Sequence, residues 1–293
     1  MSSKPRSILI TGCSEGGLGD ALAQAFHERG QRVIATARNP AKLAHFKDLG
    51  IETLTLDVLS AESISACVAA VSEKTGGSLD MLINNSGGGY TVAILDAGLD
   101  ASRKLFDLNV FSIIAVVQAF TPLLLKSTRK PLICNNTSGS SVVTTPLAAV
   151  YAASKAAAAM LTDGLRLELE PFGIRVVDLK TGGVKSKFYD NQQGGARPTL
   201  PEGSLYRIAK EEVESVLAGE NFEEGKPERE PWARRVAGDL LKSSPPVQIW
   251  RGAGIVSAYL TTMVPWSWYV GTLLKMGAMD VVKKKWNSRA KSN

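Results

Sequence analysis

The sequence predicts an α/β fold, a doubly wound parallel sheet of six to seven strands with helices on both faces. Two observations predict it. Short β-branched runs alternate with longer helical patterns from the start of the chain, and the segments 8–10 and 81–83 are almost wholly apolar. A strand–helix–strand rhythm requires parallel strands joined by right-handed crossovers, and an all-apolar strand requires cover on both of its faces.

The strands read at 7–11, 32–37, 52–57, 79–85, 131–138 and 174–180, with a seventh at 247–252. Helical patterns fill the gaps at 18–29, 41–49, 61–74, 101–126 and about 150–171. After Gly183 the texture changes: residues 190–232 are rich in Gly, Pro, Gln and Glu, with weak helical patterning only around 209–217. That texture predicts a surface insertion over the carboxyl edge of the sheet, either a lid-like segment or a variable connector. The chain therefore divides into a sheet domain at 1–251 and an apolar C-terminal segment with a basic tail at 252–293.

With 293 residues, 44% of them hydrophobic, the chain can bury a substantial core and does not read as disordered. Its net charge of +6 is local, since six cations from Lys275 onward against Asp280 supply five of it. The near-neutral remainder argues against a nucleic-acid partner, and the tail has the composition of one that touches acidic surfaces or is simply solvated. Cys13, Cys67 and Cys134 are isolated, as are His27 and His45, so no metal site and no disulfide framework is expected. The polar first six residues leave no room for a secretory signal, which predicts a reducing, cytoplasmic setting. Asn-x-Ser/Thr matches at Asn84, Asn135 and Asn136 fall at strand ends and are taken as chance.

The first strand runs into TGCSEGGLG at 11–19 and then a helix, which is where a backbone must approach a pyrophosphate and a helix dipole stabilises it; Gly12, Gly17 and Gly19 suit that use. The second strand ends in Ala37 where an acid would meet a ribose hydroxyl, and Arg38 follows. An Arg there pairs with a 2′-phosphate, so NADP(H) is favoured over NAD. Asp57, closing the third strand, is a candidate for the adenine edge or else a turn residue. Tyr151 and Lys155 stand four apart in a helix-forming segment, on one face, and Ser138 arrives from the end of the preceding strand.

Joined to the glycine turn, to NNSG at 84–87 and to Asn109, this constellation resembles the short-chain dehydrogenase/reductase family over about residues 7–190. The resemblance implies a Rossmann-type fold, an oxidoreductase acting on an alcohol or ketone, and further cofactor contacts from Ser14, Leu18, Asn85, Gly87, Val184 and Ser186 besides Tyr151 and Lys155. It also implies a homo-oligomer. In the family's chemistry Tyr151 is the general acid, Lys155 lowers its pKa, Ser138 binds the substrate oxygen and Asn109 completes a proton relay through water. Two features depart from the family pattern. The glycine loop is one residue longer, leaving the phosphate contacts of Ser14, Glu15 and Gly16 open, and Thr181 stands where the family has Pro. The sequence TGGV at 181–184, the polar insertion and the apolar tail are similar to the fungal NADPH-dependent 1-acyldihydroxyacetone phosphate reductases and equally to fungal reductases of secondary metabolism. For the first substrate, Lys185, Lys187, Arg197 or Arg207 would meet the phosphate.

Residues 252–274 carry no charge, a length that suffices to span a bilayer as a helix, but Pro265 and many Gly, Ser and Thr weaken that reading. The segment reads either as a peripheral membrane contact, at the endoplasmic reticulum or a lipid droplet, anchored by Trp266, Trp268, Tyr269 and Lys283–285, or as a helix pair packed over the active site or between subunits, lining an apolar pocket. Both readings favour a lipophilic small-molecule substrate.

Overall fold

The computed structural model describes residues 5–188, 197–220 and 225–289. Strand β1 (Ser7–Ile10) leads through the glycine turn to helix α1 (Leu18–His27) and β2 (Arg32–Ala37). A 3-10 turn at Pro40–Leu43 and the short α2 (Phe46–Leu49) replace the single helix expected at 41–49, with Pro40 starting the turn and Asn39 capping it. Then come β3 (Glu52–Thr55), α3 (Ala61–Thr75) and β4 (Met81–Asn84). The long helix that follows is α4 (Leu99–Phe106), a π turn (Asp107–Phe111) and α5 (Ser112–Leu124). After β5 (Leu132–Asn136), α6 (Ala149–Leu169) and β6 (Arg175–Thr181), the chain forms α7 (Lys210–Leu217), α8 (Arg229–Leu240) and β7 (Gln248–Arg251).

The seven strands lie in the order β3-β2-β1-β4-β5-β6-β7, every pair parallel. The chain winds outward from β1 to β3, returns across β1 and winds the other way from β4. The crevice beyond the carboxyl ends of β1 and β4 is thus the switch point where such sheets bind ligands. As expected from their composition, β1 and β4 are buried at every position. One face carries α1 and α8, with Phe26, Trp232, Val236 and Leu240 in its core; the other carries α3, α5 and α6 around Phe120. Between the layers a buried polar ladder joins the elements: Asn84 Nδ2 donates to Asn135 Oδ1 (2.8 Å), and Asn135 Nδ2 to Thr162 Oγ1 (2.9 Å). These side chains are buried, so a glycan at Asn84 or Asn135 would have no space.

The insertion expected at 190–232 is shorter at its end than the composition indicates. Helix α8 begins at Arg229 and is the crossover before β7, with Trp232 buried against the core. Its apolar stripe, Trp232, Ala233, Val236, Ala237 and Leu240, is hidden in a segment otherwise full of Arg, Glu and Asp. The parts of that insertion at 190–196 and 221–224 lie outside the described residues.

The C-terminal segment is not one helix. It folds as α9 (Ile255–Thr261), a 3-10 turn (Trp266–Trp268), α10 (Val270–Met276) and α11 (Met279–Arg289), with Pro265 as the break. Among the described residues only the helix Leu99–Leu124 is long and apolar enough to cross a membrane, and half of its most apolar window is buried in the core. Residues 252–274 thus form short helices rather than one long span. Inner residues of this segment pack on the insertion: Ala278, Met279, Val281 and Val282 share a cluster with Val213, Val216 and Leu217 of α7, and Lys285 Nζ meets Glu212 Oε1 at 2.8 Å.

Candidate active site

A cleft of about 980 Å³ opens at the switch point. Its floor is the glycine turn, lined by Gly12, Ser14, Gly17 and Leu18. Gly19 stands behind this wall, at the closest approach in the turn: a β-carbon there would come within 2.4 Å of Gly12 O and 2.6 Å of Asn85 Nδ2. Asn85 is the brace, its Nδ2 donating to Thr11 O (2.9 Å) and Gly12 O (3.1 Å), while Thr11 Oγ1 accepts from the N–H groups of Asn85 and Ser86 (both 2.9 Å). The extra residue of the loop is absorbed inside it. Cys13 is buried with its N–H on Thr36 O (2.8 Å), Gly16 takes a positive φ of 81°, and buried Asp20 accepts from Gly16 N (2.8 Å). Helix α1 thus starts at Leu18 behind Gly17, which supplies no side-chain cap, and both residues line the cleft.

At the β2–β3 end the cleft is lined by Arg38 and Asp57, and by Lys42, which the sequence pattern did not single out. Arg38 and Lys42 are both exposed cations flanking the turn that Asn39 and Pro40 create, so the missed signal was spacing across a turn. Asp57 Oδ1 accepts from Leu59 N at 3.0 Å, which makes it the turn residue while it still faces the cleft.

In the middle of the cleft stand Asn85, Gly87, Ser138, Tyr151 and Lys155, with Val184 and Ser186 on the side formed by the chain after β6. Tyr151 and Lys155 project from the first turns of α6, and the Lys155 ammonium lies 6.0 Å from the Tyr151 ring centre. Lys155 is buried and donates to Asn136 O (3.0 Å) at the end of β5. Burial depresses its pKa to about 8, against a smaller upward pull from the Asp178 carboxylate. Asp178 is itself buried, bonded to Thr137 Oγ1 and paired with Lys180 (2.7 Å). Ser138 caps the short turn at Gly139–Ser141, its Oγ accepting from Ser140 N at 3.0 Å.

Asn109 is buried at the π turn, beside the cleft rather than lining it. Its side chain bonds both backbone groups of Gly88 (2.9 and 3.0 Å) and Ser154 Oγ (3.0 Å). It therefore locks the β4 loop to α6 beside Lys155. The π turn was not legible as a break in the helical pattern at 101–126. The three cysteines are buried and unpaired, and burial pushes the thiols of Cys13, Cys67 and Cys134 well up.

The remaining wall is apolar and comes from distant segments: Val216 of α7, Ile255 and Ala258 of α9, Met276 of α10 and Phe188, whose ring meets that of Tyr151 edge-on at 5.7 Å.

The family model described as short chain dehydrogenase matches residues 6–195. The chain is a short-chain dehydrogenase/reductase. It is 44% identical to a short-chain dehydrogenase/reductase of Pestalotiopsis microspora over 97% of this chain and 98% of that protein. It is 38% identical to an NADPH-dependent 1-acyldihydroxyacetone phosphate reductase of Schizosaccharomyces pombe, over 68% of this chain and 67% of that one. Among solved structures, a short-chain dehydrogenase from Streptomyces avermitilis superposes with a TM-score of 0.74 at 26% identity, covering 94% of this chain and 96% of that one. As a member of this family the protein is an oxidoreductase acting on an alcohol or carbonyl group with a nicotinamide cofactor.

Proposed function

We propose that this short-chain dehydrogenase/reductase uses NADPH to reduce the ketone of a lipophilic substrate. One observation carries the reading: a buried ammonium stands beside Tyr151 at the junction of a polar, backbone-lined half of the cleft and an apolar half. The polar half fits a dinucleotide phosphate. The uncapped start of α1 and the close turn at Gly12–Gly19 leave N–H groups for a diphosphate, and Arg38 with Lys42 offers two cations to a 2′-phosphate. When bound there, NADPH supplies the hydride. Ser138 Oγ donates to the carbonyl oxygen as negative charge develops, and Tyr151 gives that oxygen its proton. Lys155, as ammonium, stabilises the phenolate left on Tyr151, and Asn109 holds the β4 loop and α6 in register around them.

Of the four cations that the sequence offers to a substrate phosphate, two are paired elsewhere and a third lies at the glycine turn. Lys185 pairs with Glu228 (2.6 Å), Arg197 pairs with Glu220 (3.0 Å), and Lys187 lies over the glycine turn. This favours a phosphate-free ketone. The second reading, an acyl-dihydroxyacetone phosphate, draws on the Schizosaccharomyces relative and on Lys226, which lines the cleft. NADPH oxidation by purified protein with long-chain ketones and with the phosphate ester, each run in parallel with NADH, separates them. Turnover of the ketones is the expected result; turnover confined to the phosphate ester selects the second reading.

The outer face of the C-terminal segment supports a peripheral lipid contact. Val256, Leu260, Met263, Trp266 and Trp268 are exposed, Trp268 by 76%, with no acidic residue between 252 and 279 and with Lys275, Lys283 and Lys284 close by in the chain. Aromatic and apolar side chains bordered by lysines suit an anionic bilayer or droplet surface on the cytoplasmic side. Flotation with vesicles containing anionic lipid tests it: co-flotation that is lost with neutral vesicles is expected, and association into oligomers without vesicle binding would assign the face to a second copy.

A further inference from the structure

Lys187 stands where the segment after β6 meets the glycine turn. It follows β6 by six residues, and its backbone N–H donates to Gly16 O at 3.4 Å. Its side chain lies across the glycine turn, so that a β-carbon on Gly16 would meet its Cε at 2.8 Å and its Nζ at 3.2 Å. Lys187 is exposed and lines the cleft. Among the described residues its ammonium makes no ion pair or hydrogen bond, whereas Lys185, two residues earlier, is held away from the cleft by Glu228.

The electrostatics of this placement suit an anion. The start of α1 directly beneath carries the positive end of a helix dipole, and an ammonium held over such an end is repelled by it. Asp20, the buried carboxylate in the first turn of α1, forms no ion pair with Lys187; its oxygens accept from Gly16 N and Gln24 Nε2 and meet His45 Nε2. Glu15, exposed on the turn, is the other acid of the loop. An anion between the helix end and the ammonium turns the repulsion into two attractions. The diphosphate of the cofactor has the charge for it.

We propose that Lys187 is a diphosphate-binding residue, closing over the cofactor from the segment after β6 while the α1 terminus holds it from below. The proposal rests on the reading of the polar half of the cleft as a dinucleotide site, and it moves Lys187 from the substrate's phosphate to the cofactor's. Arg38 and Lys42 answer the 2′-phosphate, and Lys187 answers the group that NADPH and NADH share.

The test is equilibrium binding of NADPH, NADH and adenosine 2′-monophosphate, followed by quenching of protein fluorescence, in wild type, Lys187→Met, Lys187→Arg and Arg38→Ala. Lys187→Met should weaken NADPH and NADH alike by about tenfold, the size expected when one charge-assisted hydrogen bond to phosphate is removed, and leave the 2′-monophosphate within about twofold. Lys187→Arg should restore most of the affinity. Arg38→Ala should weaken NADPH and the 2′-monophosphate and spare NADH. Unchanged dinucleotide affinity in Lys187→Met overturns the proposal and leaves the cofactor site standing, as does equal weakening of the 2′-monophosphate. Failure of the wild type to bind either dinucleotide overturns both. Because Lys187 is exposed, the melting temperature of Lys187→Met should match wild type, which separates impaired binding from impaired folding.

Discussion

The two halves of the cleft are built by different means. The cofactor half is made of backbone and short side chains at the carboxyl ends of β1, β2 and β4, elements whose positions are fixed by parallel register. The substrate half is made of Val216, Phe188, Ile255, Ala258 and Met276, brought together by tertiary packing from the insertion and the C-terminal segment. A site built on backbone held in parallel register needs few residue types and tolerates little change. A site assembled from distant segments varies without disturbing the sheet, which is where a family with one chemistry places its choice of substrate.

The sharpest way to break this division is to strike the junction. Tyr151→Phe removes the proton donor and leaves the ring against Phe188, so kcat should fall by about a thousandfold while NADPH affinity stays within about twofold; steady-state kinetics beside fluorescence titration would show it. On the cofactor side alone, Arg38→Ala should cut the preference for NADPH over NADH by about tenfold or more, read as the ratio of kcat/KM values, and Lys42→Ala should do so to a lesser degree. On the substrate side alone, Ala258→Trp should fill the apolar half, raising KM for a long-chain ketone several-fold, to about tenfold, with NADPH affinity unchanged.

The pH dependence sharpens the role of Lys155. With its pKa near 8, the ammonium that favours the Tyr151 phenolate is lost as pH rises through that value, so kcat/KM for ketone reduction should fall above about pH 8. The stability effect has the opposite sense. Unfolded, the lysine holds its proton to its ordinary value of 10.5; folded, it releases it near 8. Between those values the unfolded chain binds more protons, so folded stability rises with pH, by on the order of 3 kcal/mol in full. Urea unfolding at about pH 7 and about pH 10 should show wild type gaining on Lys155→Met by up to that amount.

What the sequence made legible follows the same division. The alternation of β-branched runs with helical patterns was enough for a parallel sheet, because burial on both faces of β1 and β4 forces an apolar composition. Ser138, Tyr151 and Lys155 were legible because one helix face and one strand end place them. Helix α8 was not, since Trp232, Val236 and Leu240 form a narrow stripe among charged neighbours. The places of Lys42 and Lys187 at the cleft were not legible because a turn, and then a crossing of the cleft, decides where their ammonium groups lie. The C-terminal segment read as apolar without direction. Only its short helices show that Ile255, Ala258 and Met276 face the cleft while Trp266 and Trp268 face outward.

The most direct test of the central claim, that a backbone-built NADPH site delivers hydride to a ketone held in an apolar half, is kcat/KM with NADPH across phosphate-free ketones of increasing chain length. A rise of up to about fourfold per added methylene is predicted until the apolar half is filled, because each buried methylene contributes about 0.8 kcal/mol. A flat series, or turnover that requires a phosphate on the substrate, would contradict it.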